Sequence, residues 1–305
     1  MAGSTAKTPR PLPKGLPDVL CGRYRIERLL GVGGMGAVYR ARDLLREQFG
    51  DPQPYVALKT LSEDFAEYPD ANALLYSEFA LGARLNQRHL IRLYSFEVDP
   101  ASQRGFITME LLKGCTLDQL LQQYPSGLPL AEALRVSLDL LDALQHAHDQ
   151  GVLHGDLKPS NLMLGDTELR LFDFGLGQAR DGFLTGLPRL SRSRFAAWTP
   201  RYAAPELLDG APLSAAADVY AVACVIYELC SGQHPFRRQN AKQAKAMELP
   251  LQAPADLPRN LWSALRAALA YDPAQRSSLA QLRQVFREQQ PASRLPRWLR
   301  RRPAI

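Results

Sequence analysis

Near Gly114 the apolar pattern of this 305-residue chain changes its period. Before that point the β-prone runs YRIERLL (24–30), AVYRARD (37–43) and YVALKTL (55–61) are separated by GVGGMG and by the turn-rich FGDPQP. Short alternating runs bounded by glycine, proline and aspartate predict an antiparallel meander. One helix interrupts it at NALLYSEFALGARL (72–85), and strand-like LIRLYSFEV and GFITMEL follow. After Gly114, TLDQLLQQY, LAEALRVSLDLLDALQHAH, AADVYAVACVIYELCSG, LWSALRAALA and SSLAQLRQVFREQ all repeat apolar residues at helical spacing. Only NLML and LRLFDF break in as strands. The expected fold class is therefore α+β, a small antiparallel sheet with one helix followed by a larger, mainly helical part.

Composition supports a packed body with two different ends. Hydrophobic residues make up 46% of the chain, enough for a substantial core. The formal charge is +6, but Lys7, Arg10 and Lys14 near the start and Arg294, Arg297, Arg300, Arg301 and Arg302 near the end carry the excess. The body is close to neutral, which argues against a nucleic-acid partner. Cys21, Cys115, Cys224 and Cys230 form no CxxC pair, so reduced, cytosolic cysteines are expected rather than a zinc site or a disulfide framework. The longest apolar run, AVACVIYELC (221–230), is too short to cross a bilayer, and no secretory signal is visible at the start. A cytoplasmic location follows as an expectation. Residues 1–20 read as a flexible proline-rich leader, 21–113 and 114–287 as the two parts of one domain, and 288–305 as a basic tail. Leu295, Trp298 and Leu299 interleave with the tail arginines, offering weak contact to an anionic membrane or an acidic partner, with a solvated tail as the alternative.

Gly31, Gly33 and Gly36 form GxGxxG, a weak signal alone because a dinucleotide-binding turn shares it. Such a turn runs straight into a helix. Here AVYRAR alternates as a strand, so Gly31, Val32, Gly33, Gly34, Met35 and Gly36, with Val38 just beyond, fit a glycine-rich hairpin folded over phosphates. Lys59 in VALK and Glu78 in the helix are unexceptional singly; together they predict an ion pair that aims an ammonium at phosphate oxygens.

HGDLKPSN (154–161) is more specific, because Asp173 of LFDFGLG follows Asn161 by twelve residues. Phosphoryl transfer needs an oxygen base near the acceptor hydroxyl and oxygen ligands for magnesium. Asp156 supplies the first, and Asn161 with Asp173 the second. His154 reads as a packing residue that orients the loop, and His146 and His148 as residues ending a long helix.

In the order GVGGMGAV, VALK, Glu78, HGDLKPSN, DFG and AAPE, over residues 21–287, the chain resembles a Ser/Thr protein kinase catalytic domain. The GGMGAVY form is similar to the eukaryote-like kinases of bacteria. The resemblance implies a two-lobed fold with ATP between the lobes, Mg2+ as the metal, protein substrates, a hinge near Glu110 with Met109 as gatekeeper, and a possible kinase-domain dimer. It also implies that Lys158 and Thr199 contact the catalytic aspartate and favour aliphatic hydroxyls, that Glu206 pairs with Arg276, and that buried Asp218 holds the catalytic loop's backbone. Many such kinases carry Arg where this chain has Gly155, and that Arg binds a phosphate on the activation segment. Gly155 implies catalysis that does not depend on phosphorylating Thr185, Ser191 or Ser193. Aminoglycoside-type phosphotransferases also carry HGD but lack the KPSN continuation and the WTPRYAAPE stretch. A pseudokinase binding module is expected to have lost Lys59, Asp156 or Asp173, and all three are present.

Overall fold

The computed structural model describes residues 16–33, 36–62, 71–165, 168–175, 177–180 and 199–289. They pack as two units. One gathers residues up to Ala80 together with Arg92–Leu111; the other gathers Leu81–Ile91 and residues from Leu112 onward.

The sheet unit is antiparallel throughout. Its strands β1 (Val19–Leu20), β2 (Tyr24–Val32), β3 (Gly36–Asp43), β4 (Tyr55–Leu61), β5 (Leu93–Val98) and β6 (Gly105–Met109) lie in the order β1-β2-β3-β4-β6-β5. Period-two patterning decides which side chains turn inward. Tyr24, Ile26, Tyr39, Ala41, Leu58 and Phe106 share one core, with Tyr24 edge-on to Phe106 at 5.6 Å. The expected leader boundary needs correction, because Leu16 and Leu20 are buried in that core and β1 pairs with β2. A two-residue edge strand has no period to read. The stretch after β3 also forms a helical turn, α1 (Leu44–Gln48), which the turn-rich composition hid; Asp43 caps it by accepting from the Leu45 and Arg46 amides.

The expected helix at 72–85 appears as α2 (Ala71–Gly82), which ends earlier. Leu81 in its last turn, with Leu85 and Leu90 beyond it, is buried in the core of the helical unit, and Leu90 bridges to Leu171. The division between the two parts is thus not a single cut at 113, since the 81–91 segment packs with the later residues.

The helical unit is built on α3 (Leu117–Gln123), α4 (Leu130–Asp149), α5 (Pro205–Leu208), α6 (Ala215–Ser231), α7 (Ala241–Ala246), α8 (Arg259–Ala268) and α9 (Leu279–Glu288). Residues 217–229 of α6 are buried on every side, the apolar ones in the core and Asp218 and Glu228 through hydrogen-bond partners. Ser214 caps its start by accepting from the Ala217 amide, and Gly232 ends it at φ +73°. α4 and α9 pack on each other and on α6. Short strands β7 (Cys115–Thr116), β8 (Val152–Leu153), β9 (Leu162–Leu164), β10 (Leu169–Leu171) and β11 (Gln178–Ala179) form small sheets ordered β10-β9-β7 and β11-β8. These frame the HGDLKPSN loop. The four cysteines are free, and no described helix is long and apolar enough to cross a membrane.

Candidate active site

In the sheet unit, the hairpin register sets Gly31 opposite Val38 and Val38 opposite Lys59. Gly36 is sterically required: a Cβ there would meet the Thr60 carbonyl oxygen at 2.1 Å. Gly31 has nothing within 4 Å of such a Cβ, so packing does not explain its glycine. Gly34 and Met35 lie outside the described residues. Lys59 and Glu78 meet as expected, with Nζ donating to Oε1 at 2.6 Å and to Oε2 at 2.8 Å, and both residues are buried. Removing one partner of such a buried pair leaves the other charge uncompensated. Met109 is buried at the end of β6; the Glu110 amide donates to the Arg92 carbonyl, and its Oε1 accepts from the Arg92 amide.

In the helical unit, the HGD turn is suspended from α6. Asp218, 1% exposed, accepts from the His154 amide and from His148 Nε2 through Oδ2, and from the Gly155 amide through Oδ1, each at 2.9 Å. Burial pushes the Asp218 carboxyl upward, but His148 and these amides outweigh it and hold the group below the usual carboxylate range. Gly155 adopts φ +78°, a left-handed backbone that costs an ordinary residue roughly 1 kcal/mol or more. The Asp156 amide donates to His154 Nδ1 at 3.2 Å, so His154 Nε2 carries the ring proton and donates to the Phe172 carbonyl at 3.3 Å. Burial lowers the His154 pKa and keeps it neutral, while its ring packs 4.7 Å from that of Phe174. The packing role expected for His154 fits this geometry. His148 is more than a helix end, a partner of Asp218 that only the fold brings near.

Asp156 lies at the centre of a connected set. Its Oδ2 accepts from Lys158 Nζ at 2.5 Å, and the same ammonium donates to Thr199 Oγ1 at 2.9 Å. Asn161 Nδ2 donates to the Asp156 carbonyl at 2.9 Å and to its Oδ2 at 3.3 Å. Burial raises the Asp156 pKa and nearby Asp173 adds to this, against the Lys158 ammonium. Asp173 sits at φ +68°, and the Phe172 amide donates to the Asn161 carbonyl, which ties the DFG strand end to the loop. Aspartate is among the few side chains that tolerate this backbone, and strained positions of this kind collect at functional sites.

Two further residues went unnoticed in the sequence. Tyr202 donates its amide to the Thr199 carbonyl and its hydroxyl to Glu228 Oε2 at 2.6 Å, anchoring the Thr199 turn to α6. Nothing in the local sequence marks the pair. Arg276 grips Glu206 with two bonds of 2.5 and 2.7 Å, as the resemblance implied. A small pocket lined by Gly155, Asp156, Thr199 and Tyr202, among others, adjoins this cluster. Thr185, Ser191 and Ser193 lie outside the described residues.

A family model described as the protein kinase domain matches residues 24–286. The serine/threonine-protein kinase PkaA of Streptomyces coelicolor is 31% identical over 278 residues, covering 87% of this chain and 49% of that protein. PknD of Mycobacterium tuberculosis is 31% identical over 263 residues, covering 84% of this chain and 38% of that one. The chain thus spans about half or less of the length of these relatives. The crystal structure of the Mycobacterium tuberculosis PknI kinase domain, solved as a point mutant, superposes with a TM-score of 0.66 at 27% identity, covering 92% of this chain and 99% of that one.

Proposed function

The chain belongs to the protein kinase domain family, and on that premise we propose that it transfers the γ-phosphoryl group of ATP to serine or threonine hydroxyls of protein substrates in the cytoplasm. The observation that carries this reading is the Lys158 ammonium shared between Asp156 Oδ2 and Thr199 Oγ1 at 2.5 and 2.9 Å. Asp156 accepts or orients the substrate hydroxyl proton, Lys158 balances charge on the moving phosphoryl group, and Thr199 fixes the turn beside which an aliphatic hydroxyl is presented. From the sheet unit, Lys59, oriented by Glu78, takes the α- and β-phosphates. The bare backbone at Gly31 leaves room for phosphate oxygens, which supplies the reason for glycine that packing does not.

The donor set fits magnesium, a hard cation that takes oxygen ligands. Asp173 offers a carboxylate, and Asn161, whose Nδ2 is engaged with Asp156, keeps its carbonyl oxygen for a cation. The ion, when bound, neutralises charge on the phosphate oxygens.

Gly155 puts no cationic side chain at the position before Asp156 to read a phosphate on the activation segment, and the Lys158 ammonium is already shared between Asp156 and Thr199. Activity is therefore independent of phosphorylation there, and replacing Thr185, Ser191 and Ser193 together by Ala leaves transfer to an added protein intact. Abolished transfer in a folded triple variant overturns that part alone. The general reading is tested by incubating wild type and Asp156→Asn with Mg·ATP and mixed proteins, then mapping phosphorylated residues by mass spectrometry. Phosphoserine or phosphothreonine only with wild type supports it; ATP binding without transfer to any protein overturns it.

A further inference from the structure

β2 and β3 gather like charge on one face. Side chains directly opposite in an antiparallel pair share a face. The register sets Arg25 opposite Arg42 and Arg28 opposite Arg40, and Arg42 opposite Tyr55 on the next strand. Arg40 and Arg42, two residues apart on β3, point the same way. Four guanidinium groups thus share one face of two neighbouring strands, and like charges directly opposite destabilise such a pairing. Intramolecular partners account for only part of the array.

Its neutralisation is incomplete. Glu27, displaced at the bulge between Ile26 and Arg28, pairs with Arg40 at 3.2 Å and Arg42 at 2.8 Å, and Glu47 of α1 pairs with Arg42 at 2.6 Å. The Arg40 and Arg42 guanidinium carbons lie 3.9 and 5.2 Å from the Tyr55 ring centroid, so the aromatic ring fixes both. Arg25 and Arg28 are exposed and make no ion pair among the described residues.

We propose that this face docks an acidic segment of a partner protein in extended conformation. An extended chain turns every second side chain to the same side at a spacing of about 6.8 Å, the same repeat that sets Arg40 and Arg42 apart. Carboxylates suit the planar forks of arginine, which hold them through two bonds at once. Glu27 and Glu47, held against Arg40 and Arg42, set negative charge within the patch, which disfavours a continuous anionic surface over separate carboxylates that can each meet a free guanidinium of Arg25 or Arg28. The proposal does not depend on phosphoryl transfer.

The test titrates the full chain at low salt with a fluorescent peptide alternating Glu and Thr, and with a second of identical composition whose glutamates are consecutive. The alternating peptide should bind about tenfold tighter, and Arg25→Gln/Arg28→Gln should remove that advantage. The melting temperature of the double variant should not fall, because it removes uncompensated like charge. Equal binding of the two peptides overturns the proposal, as does an unchanged preference in the double variant. Retention on phosphatidylserine vesicles without binding of the alternating peptide overturns it in favour of a lipid surface. The tail arginines are present in every arm, so they cannot produce the loss.

Discussion

Gly155 and Asp156 are neighbours with opposite demands. The first sits at φ +78° with its amide held by Asp218, so the missing side chain is favoured by the backbone whatever its regulatory meaning. Gly155→Arg should therefore destabilise the chain by about 1 kcal/mol in urea unfolding, and Gly155→Ala by a similar amount. If Gly155→Arg were neutral, the left-handed turn would not be the reason for glycine. Asp156 has its pKa raised by burial and by Asp173, against Lys158. Protonated, the carboxyl no longer accepts, so activity should fall with decreasing pH through a value above the ordinary aspartate range. Lys158→Met removes the opposing charge and should move that acid limb of the kcat/KM profile to still higher pH, whatever it does to the plateau. These residues were legible because their work is local: Asp156, Lys158 and Asn161 lie within six positions, and their mutual bonds repeat that closeness. His148 and Glu228 were not, since their partners Asp218 and Tyr202 are 70 and 26 residues away and no periodicity encodes such pairings.

At the scale of elements, α6 and the loop that leaves it govern the Thr199 turn. His234, 1% exposed, receives the Phe236 amide on Nδ1 and stands edge-on to the Tyr202 ring at 5.1 Å. Burial, reinforced by Arg201, pushes its pKa down to about 3. The unfolded chain binds a proton here near pH 6.5 while the folded chain does not, so folding stability is full above that range and declines as pH falls toward 3. Between these values the site contributes a slope of up to about 1.4 kcal/mol per pH unit. His234→Phe should flatten the acid side of the stability curve measured by denaturant unfolding, leaving the contribution of His154, whose pKa burial also lowers. An unaltered slope would show that His234 is not the proton acceptor. Long, strongly periodic elements such as α4 and α6 could be read from the chain. β1 and α1 could not, because two or five residues are too few to show a period, and tertiary burial of Leu16 and Leu20 rather than local preference decides the first.

On the scale of the whole molecule, the two units have separate cores, and the residues proposed for catalysis are divided between them. The change of period near Gly114 foretold two kinds of packing, yet the 81–91 segment crosses that line because Leu81, Leu85 and Leu90 find their apolar partners among the helices. Pattern within a segment tells what it forms, not which core receives it. The suspension of the HGD turn from Asp218 has a kinetic consequence. The His154 and Gly155 amides are bonded to a carboxylate on a helix buried on all sides, so no small local opening frees them. Their hydrogen exchange should be as slow as that of the α6 backbone and should report unfolding of the helical unit. In a warming sample the HGD turn and the interior that carries it should then fail together, so that lost activity keeps time with lost structure.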